Sequence, residues 1–226
     1  INEGALFIDI GVASSKPGSS LINAKDEKKY LIPYLKALIK EFPETYFSID
    51  TYNSLVAEVS LDLGASMIND ISGGVIDPRI LKVVGSHKVP YVMMHMQGIP
   101  KNMQKKYHYD DILKEINFFF SSQLKKANSA GIRDIILDPG FGFGKSKKQN
   151  FKLLRNLDHF KFLNCPILIG ISRKSLVYKT LGIDAKEALN GTTALHALGL
   201  NFGARILRVH DVKEAKECID LWGELQ

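Results

Sequence analysis

Residues 135–145 read Ile135-Ile-Leu-Asp-Pro-Gly-Phe-Gly-Phe-Gly-Lys145, and their reading decides the fold. Three apolar residues run into an aspartate, and a Pro-Gly break then opens a glycine-rich loop. A short apolar run closed by such a break predicts a buried strand over residues 135–137. Asp138 then stands at the C-terminal tip of that strand. Ser146, with Gln149 three residues later, predicts a capping box at the start of a helix. The unit is strand, polar tip, glycine loop, helix.

The loop admits more than one reading. Gly144-Lys145-Ser146 fits the end of a phosphate-cradling loop, whose pattern is G-x-x-x-x-G-K-[ST]. Pro139 stands where the first glycine is required and has no N–H to offer a phosphate. The loop also suits a barrel tip that aims Asp138 at a ligand. A plain turn whose aspartate caps a neighbour is the third reading.

The chain of 226 residues fits an α/β barrel, a fold that routinely exceeds the usual domain length. Apolar residues make up 45% and charged residues 24%, as in an ordinary globular core. No apolar run is long enough to span a membrane. The net charge of +6 is spread along the chain without a basic stripe, so nucleic acid is not an expected partner. Cys165 and Cys218 have neither metal-site nor disulfide spacing, which suits a reducing cytoplasm. The opening, Ile1-Asn-Glu-Gly4, reads as the end of a helix and the turn before a strand, so the expected domain, residues 1–226, is an N-terminally incomplete barrel.

The same unit recurs along the chain. Apolar runs at residues 6–10, 46–49, 67–70, 91–95, 167–170 and 206–210 predict further strands. Helical spacing follows at 27–42, 55–63, 78–84, 109–130, 184–202 and 212–225. On the last helix Val212, Ala215, Ile219 and Trp222 form a stripe that suits core packing or an interface. Strict alternation predicts a parallel sheet covered by helices. Seven units in this pattern predict a TIM (β/α)8 barrel. A doubly wound sheet is the alternative, but no dinucleotide fingerprint follows the first strand.

The strand tips carry Asp9, Asp50, Asn69, His95, Asp138, Lys174 with its neighbours, and Arg208 with His210. In a barrel all these tips meet on one face, where active sites lie. Asp50, Asn69, Asp138 and Lys174 together offer carboxylates, an amide and an ammonium, a set able to hold a flat heterocycle edge-on. Arg208 and His210 suit a pyrophosphate, and Phe143 an apolar wall. His95, between two methionines, reads as a packed histidine. No nucleophile–base signature appears. Positioning and leaving-group stabilisation are therefore expected rather than covalent catalysis.

These residues resemble the dihydropteroate synthases, transferases of folate biosynthesis that sulfonamides inhibit. The resemblance covers nearly the whole chain. It rests on Asp9-Ile-Gly11, Ser15-Lys-Pro-Gly18, Ser48-Ile-Asp-Thr51, Ile68-Asn-Asp70, Met94-His-Met-Gln-Gly98, the 138–145 loop, Ser172-Arg-Lys-Ser175 and Arg208-Val-His-Asp-Val212. It implies that p-aminobenzoate is joined to 6-hydroxymethyl-7,8-dihydropterin pyrophosphate, with Mg²⁺ present and pyrophosphate released. It implies that Asp50, Asn69, Asp138 and Lys174 hold the pterin and that Arg208 stacks on it. Asp50 and Asp138 would stabilise a cationic pterin methylene. Arg208, His210 and Lys16 would face the pyrophosphate, with Lys16 standing where the family usually has arginine. Ser15, Pro17, Phe143, Lys174 and Ser175 would line the p-aminobenzoate pocket. Asp9, Met94 and Arg173 complete the expected substrate contacts, and no protein metal ligand is expected. The resemblance also implies a cytoplasmic homodimer whose first strand and loop lie before residue 1. A pterin-dependent methyltransferase serving a corrinoid protein shares the same barrel, and a pterin-binding module without catalysis is a further reading. Arg173-Lys174-Ser175 and Arg208-Val-His210 favour the transferase, which alone must manage a pyrophosphate.

Overall fold

The computed structural model describes residues 1–12, 21–98 and 108–225. Strands and helices alternate through them. β1 (Phe7–Ile10) leads to α1 (Ala24–Glu41), and β2 (Tyr46–Asp50) to α2 (Ser54–Asp62). β3 (Met67–Asp70) leads to α3 (Arg79–His87), and β4 (Tyr91–Met94) to α4 (Ile112–Ser129). β5 (Ile135–Asp138) precedes α5 (Lys147–Arg155), and a 3-10 helix (Leu157–Leu163) runs on to β6 (Leu168–Ile169). Then come α6 (Ser175–Leu181), a 3-10 turn (Ala185–Glu187), α7 (Leu189–Asn201), β7 (Ile206–Leu207) and α8 (Val212–Gly223).

All strand pairs are parallel. β1 to β5 lie in chain order, β6 pairs with β7, and a bridge from Leu137 to Ile167 carries the sheet from β5 to β6. A doubly wound sheet would permute this order. Strands in sequence order around a curved sheet are those of a TIM (β/α)8 barrel. The curvature brings Arg208, just past β7, to within 2.7 Å of Asp9 on β1. Register keeps the tips level, with Asp50 opposite Asn69 and Met94 opposite Asp138.

The helices form because each carries an apolar stripe and a start signal. Asn23 caps α1 by accepting from the Asp26 N–H, and Leu31 and Leu35 of that helix are fully buried. Ser146 and Gln149 form the expected capping box of α5. Between sheet and helices, Phe120 of α4 meets Phe160 edge-on at 5.8 Å. The buried Tyr91 hydroxyl donates to Asp70 at 2.7 Å, and Ser72 and Gly74 also donate to that carboxylate.

Two expectations are corrected, and one helix is added. The helix expected over 184–202 is broken. Gly182 ends α6 in the left-handed region, Asp184 and Glu187 form a capping box on a short 3-10 turn, and α7 starts only at Leu189. The helix α6 itself, which starts directly after the β6 loop, was absent from the periodicity reading because it has only 7 residues. On α8 the inward residues are Ala215 and Cys218, whereas Ile219 is exposed.

Tyr91→Phe removes one of four donors to the buried Asp70 carboxylate. It is expected to lower the unfolding free energy by about 1–3 kcal/mol in urea titration. An unchanged midpoint would contradict that role for the hydroxyl.

Candidate active site

Six of the expected side chains converge at the C-terminal strand tips. The Asp9 carboxylate accepts from Asn69 Nδ2 at 3.0 Å and from Arg208 Nε at 2.7 Å. The other guanidinium arm donates to Asp50 at 3.1 Å. β1, β2, β3 and β7 are thus tied at one point. Gly11 allows it: a Cβ there would lie 2.9 Å from the Asp50 Cβ. The second oxygen of Asp9 is buried without a hydrogen bond.

Asp138 stands opposite. Its carboxylate accepts from the Gly140 N–H at 2.7 Å. Lys174 donates to the Phe141 carbonyl at 2.7 Å and lies 4.8 Å over the Phe143 ring. Glycines with positive φ at 140, 142 and 144 let the loop wrap this tightly.

Burial sets the electrostatics. Desolvation, with repulsion from Asp9, pushes Asp50 up to about 7, against the attraction of Arg208. Desolvation also raises Asp138, opposed by Lys174, the Gly140 N–H, Arg208 and Lys145. The ammonium of Lys174 is brought down to about 8 by burial, with Asp138 opposing. The face combines carboxylates and cations, of which Asp50 and Lys174 are shifted toward neutral pH. It can therefore bind hydrogen-bonding heterocycles and respond to charge that develops on them.

The remaining expected residues are placed differently. Phe143 packs with Tyr52, Ile71 and Met94, and Met94 is buried in that floor. His210 is exposed, with its Nδ1 3.0 Å from the buried Ser172 hydroxyl. Ser175 is exposed at the start of α6. Arg173 is turned away from the other six. Its guanidinium forms a two-armed pair with Asp211 at 2.8 Å and donates to the carbonyls of Ala185 and Lys186. There it ties the β6 loop to the β7 loop, from a backbone φ of +50. Ser15, Lys16 and Pro17 lie outside the described residues.

Sequence reasoning missed Lys145. The glycine-loop pattern offered it as a phosphate ligand, but its ammonium points inward onto main-chain carbonyls of Gly140, Phe143 and His95. Pro139 was the signal against the phosphate reading. His95 is a packed histidine, edge-on to Phe119 at 4.9 Å.

The sequence profile of the family described as "Pterin binding enzyme" matches residues 1–210. The dihydropteroate synthase of Escherichia coli (strain K12) is 39% identical over 221 residues, 97% of this chain and 78% of that one. The Yersinia pestis dihydropteroate synthase, solved as a sulfonamide drug complex, superposes with a TM-score of 0.93 at 37% identity, over 99% of this chain and 82% of that one. The Thermus thermophilus enzyme in complex with 4-aminobenzoate gives a TM-score of 0.92 at 36% identity, over 100% of this chain and 86% of that one. With these tips, this strand order and these relatives, the chain belongs to the pterin-binding enzyme family, among its dihydropteroate synthases.

Proposed function

We propose that Asp50, Asn69, Asp138, Lys174 and Arg208 form the pterin end of the synthase site. The reaction condenses 6-hydroxymethyl-7,8-dihydropterin pyrophosphate with p-aminobenzoate to give 7,8-dihydropteroate and pyrophosphate. The carrying observation is the convergence of three carboxylates, one amide and two cations at the strand tips. The carboxylates accept from the pterin's ring and exocyclic N–H groups, while Asn69 and Lys174 supply donors to its carbonyl and ring nitrogen. Arg208, half exposed at the mouth, offers its guanidinium face to the ring.

The chemistry follows from charge. The bond from the pterin methylene carbon to the pyrophosphate oxygen breaks, and positive charge grows on the methylene and ring. Asp50 and Asp138 stabilise that charge from fixed positions. The aniline nitrogen then forms the new C–N bond, and its proton passes to solvent. Arg208 and His210 face the departing pyrophosphate, and by the resemblance Lys16 would be a further contact for it. Phe143, Lys174 and Ser175 line the p-aminobenzoate side, with Met94 beneath and Asp9 fixing Asn69 and Arg208; by the resemblance Ser15 and Pro17 would join them. Arg173 supports Lys174 through its hold on Asp211.

Among the described residues, no group of three His, Cys, Asp or Glu side chains could hold a metal. Mg²⁺ would enter with the substrate's pyrophosphate and would offset its negative charge as it departs. A cytoplasmic homodimer is part of the proposal. α7 and α8 pack together and leave Leu198, Ile219 and Leu221 exposed, and such apolar surface suits a second copy. Two free cysteines fit a reducing compartment.

Pyrophosphate release should require p-aminobenzoate. Lys174→Ala and Asp138→Asn are each expected to lower kcat/KM by about 10²-fold or more, with unchanged circular dichroism. Undiminished turnover in either variant removes that residue from the site. Asp50 gives a separate test. Its folded pKa, about 7, lies above the unfolded value of about 3.9. The folded state thus holds the proton more tightly, and stability falls as pH rises between these values. Relative to the wild type, Asp50→Asn should gain stability from about pH 4 to about pH 7. A constant difference in urea midpoints across that window would contradict the raised value. Sedimentation should show a dimer that Leu221→Arg shifts toward monomer, and a monomeric wild type would remove that part.

A further inference from the structure

Lys145 lies behind the site, 4% exposed. Its ammonium donates to the carbonyls of Gly140 at 2.9 Å, Phe143 at 3.0 Å and His95 at 3.3 Å. Three donors thus meet three acceptors. Two acceptors belong to the glycine loop and the third to the end of β4, so one side chain fastens the loop to the neighbouring strand. The backbone is shaped for this. Gly140 has φ +71, and a Cβ there would lie 2.0 Å from the His95 carbonyl oxygen and 3.3 Å from Lys145 Nζ.

That loop carries the contacts on which the site depends. The Gly140 N–H holds Asp138, the Phe141 carbonyl holds Lys174, and the Phe143 ring lies under the Lys174 ammonium. Lys145 also acts on Asp138 through its charge, in the same direction as Lys174 and Arg208. A structural pin would need only donors. A cation beside a buried carboxylate does more, because it favours the ionised form.

We propose that Lys145 is a positioning residue for the reaction, fastening the glycine loop to β4 and placing a cation beside the buried carboxylate of Asp138. The inference rests on the reading of Asp138 as a pterin ligand. The charged and titratable groups that face the pair are His95 at the end of β4, Lys174 ahead of α6 and Arg208 beyond β7. His95 stays neutral, since burial and Lys145 hold its pKa well below the ordinary range. Burial, opposed by the attraction of Asp138 and aided by repulsion from Lys174, brings Lys145 down to about 7.

The test is calorimetric binding of 6-hydroxymethyl-7,8-dihydropterin pyrophosphate across a pH series, with wild type, Lys145→Met, Lys145→Arg and Asp138→Asn. Lys145→Met is expected to move the acid limb of binding up by about one pH unit, which is about a tenfold loss of affinity on that limb. Lys145→Arg, which retains the charge, should return the limb towards its original position. An equal loss at every pH in both variants, with the limb unmoved, would overturn the proposal and leave a purely structural pin. Failure of both to fold, judged by circular dichroism, would overturn it likewise. If Asp138→Asn binds like wild type, the pterin-ligand reading fails. If Asp138→Asn loses binding while Lys145→Met keeps the wild-type limb, only the inference about Lys145 fails.

Discussion

Buried carboxylates opposed by a few cations govern this structure. Asp50 and Asp138 are 9% and 6% exposed. A lone buried charge is costly unless it is paired and hydrogen-bonded. Here the compensation comes from Arg208, Lys174, Lys145 and the Gly140 N–H. Arg208, Lys174 and the glycine loop that carries Lys145 and Gly140 follow three different strands, so the site exists only when the strands stand in order. Arg208 shows this most directly, because it joins the tip of the last described strand to the first two.

The arrangement suits a reaction whose transition state is cationic. Groups fixed by the fold need little reorganisation when charge appears on the substrate. Asp138 is held by a main-chain donor and Lys174 by a main-chain acceptor, so neither depends on a mobile side chain for its placement. Asp50 is less settled, since Asp9 repels it while Arg208 attracts it. Arg208 and Lys174 both act on Asp50 through their charge, and positive charge developing on a bound pterin would add to theirs.

Much of this was legible in the sequence because the signals are local. Short apolar runs that end in Asp138, Asp50 or Asn69 mark strand tips, and Ser146 with Gln149 marks a helix start. Alternation then implies a barrel, and a barrel gathers its tips on one face. What was not legible depends on where a loop turns. Lys145 sits in a pattern that resembles a phosphate loop, yet three carbonyls from 140, 143 and 95 capture it. Arg173 stands in a run of polar tip residues, but its partner Asp211 is 38 positions away on another loop. The break between α6 and α7 depends on a left-handed Gly182 that helical periodicity does not register. Sequence spacing gives an element's position, whereas a side chain's direction needs the neighbouring element.

Burial at the strand tips, balanced by nearby cations, sets the ionisation of Asp50 and Asp138. Carbon-13 NMR titration of the aspartate carboxyls, with Asp50→Asn for assignment, tests it most directly. Asp50 is expected to titrate near pH 7 in the free protein and at distinctly lower pH once pterin is bound. An Asp50 that titrates in the ordinary carboxylate range, and does not respond to pterin, would contradict it.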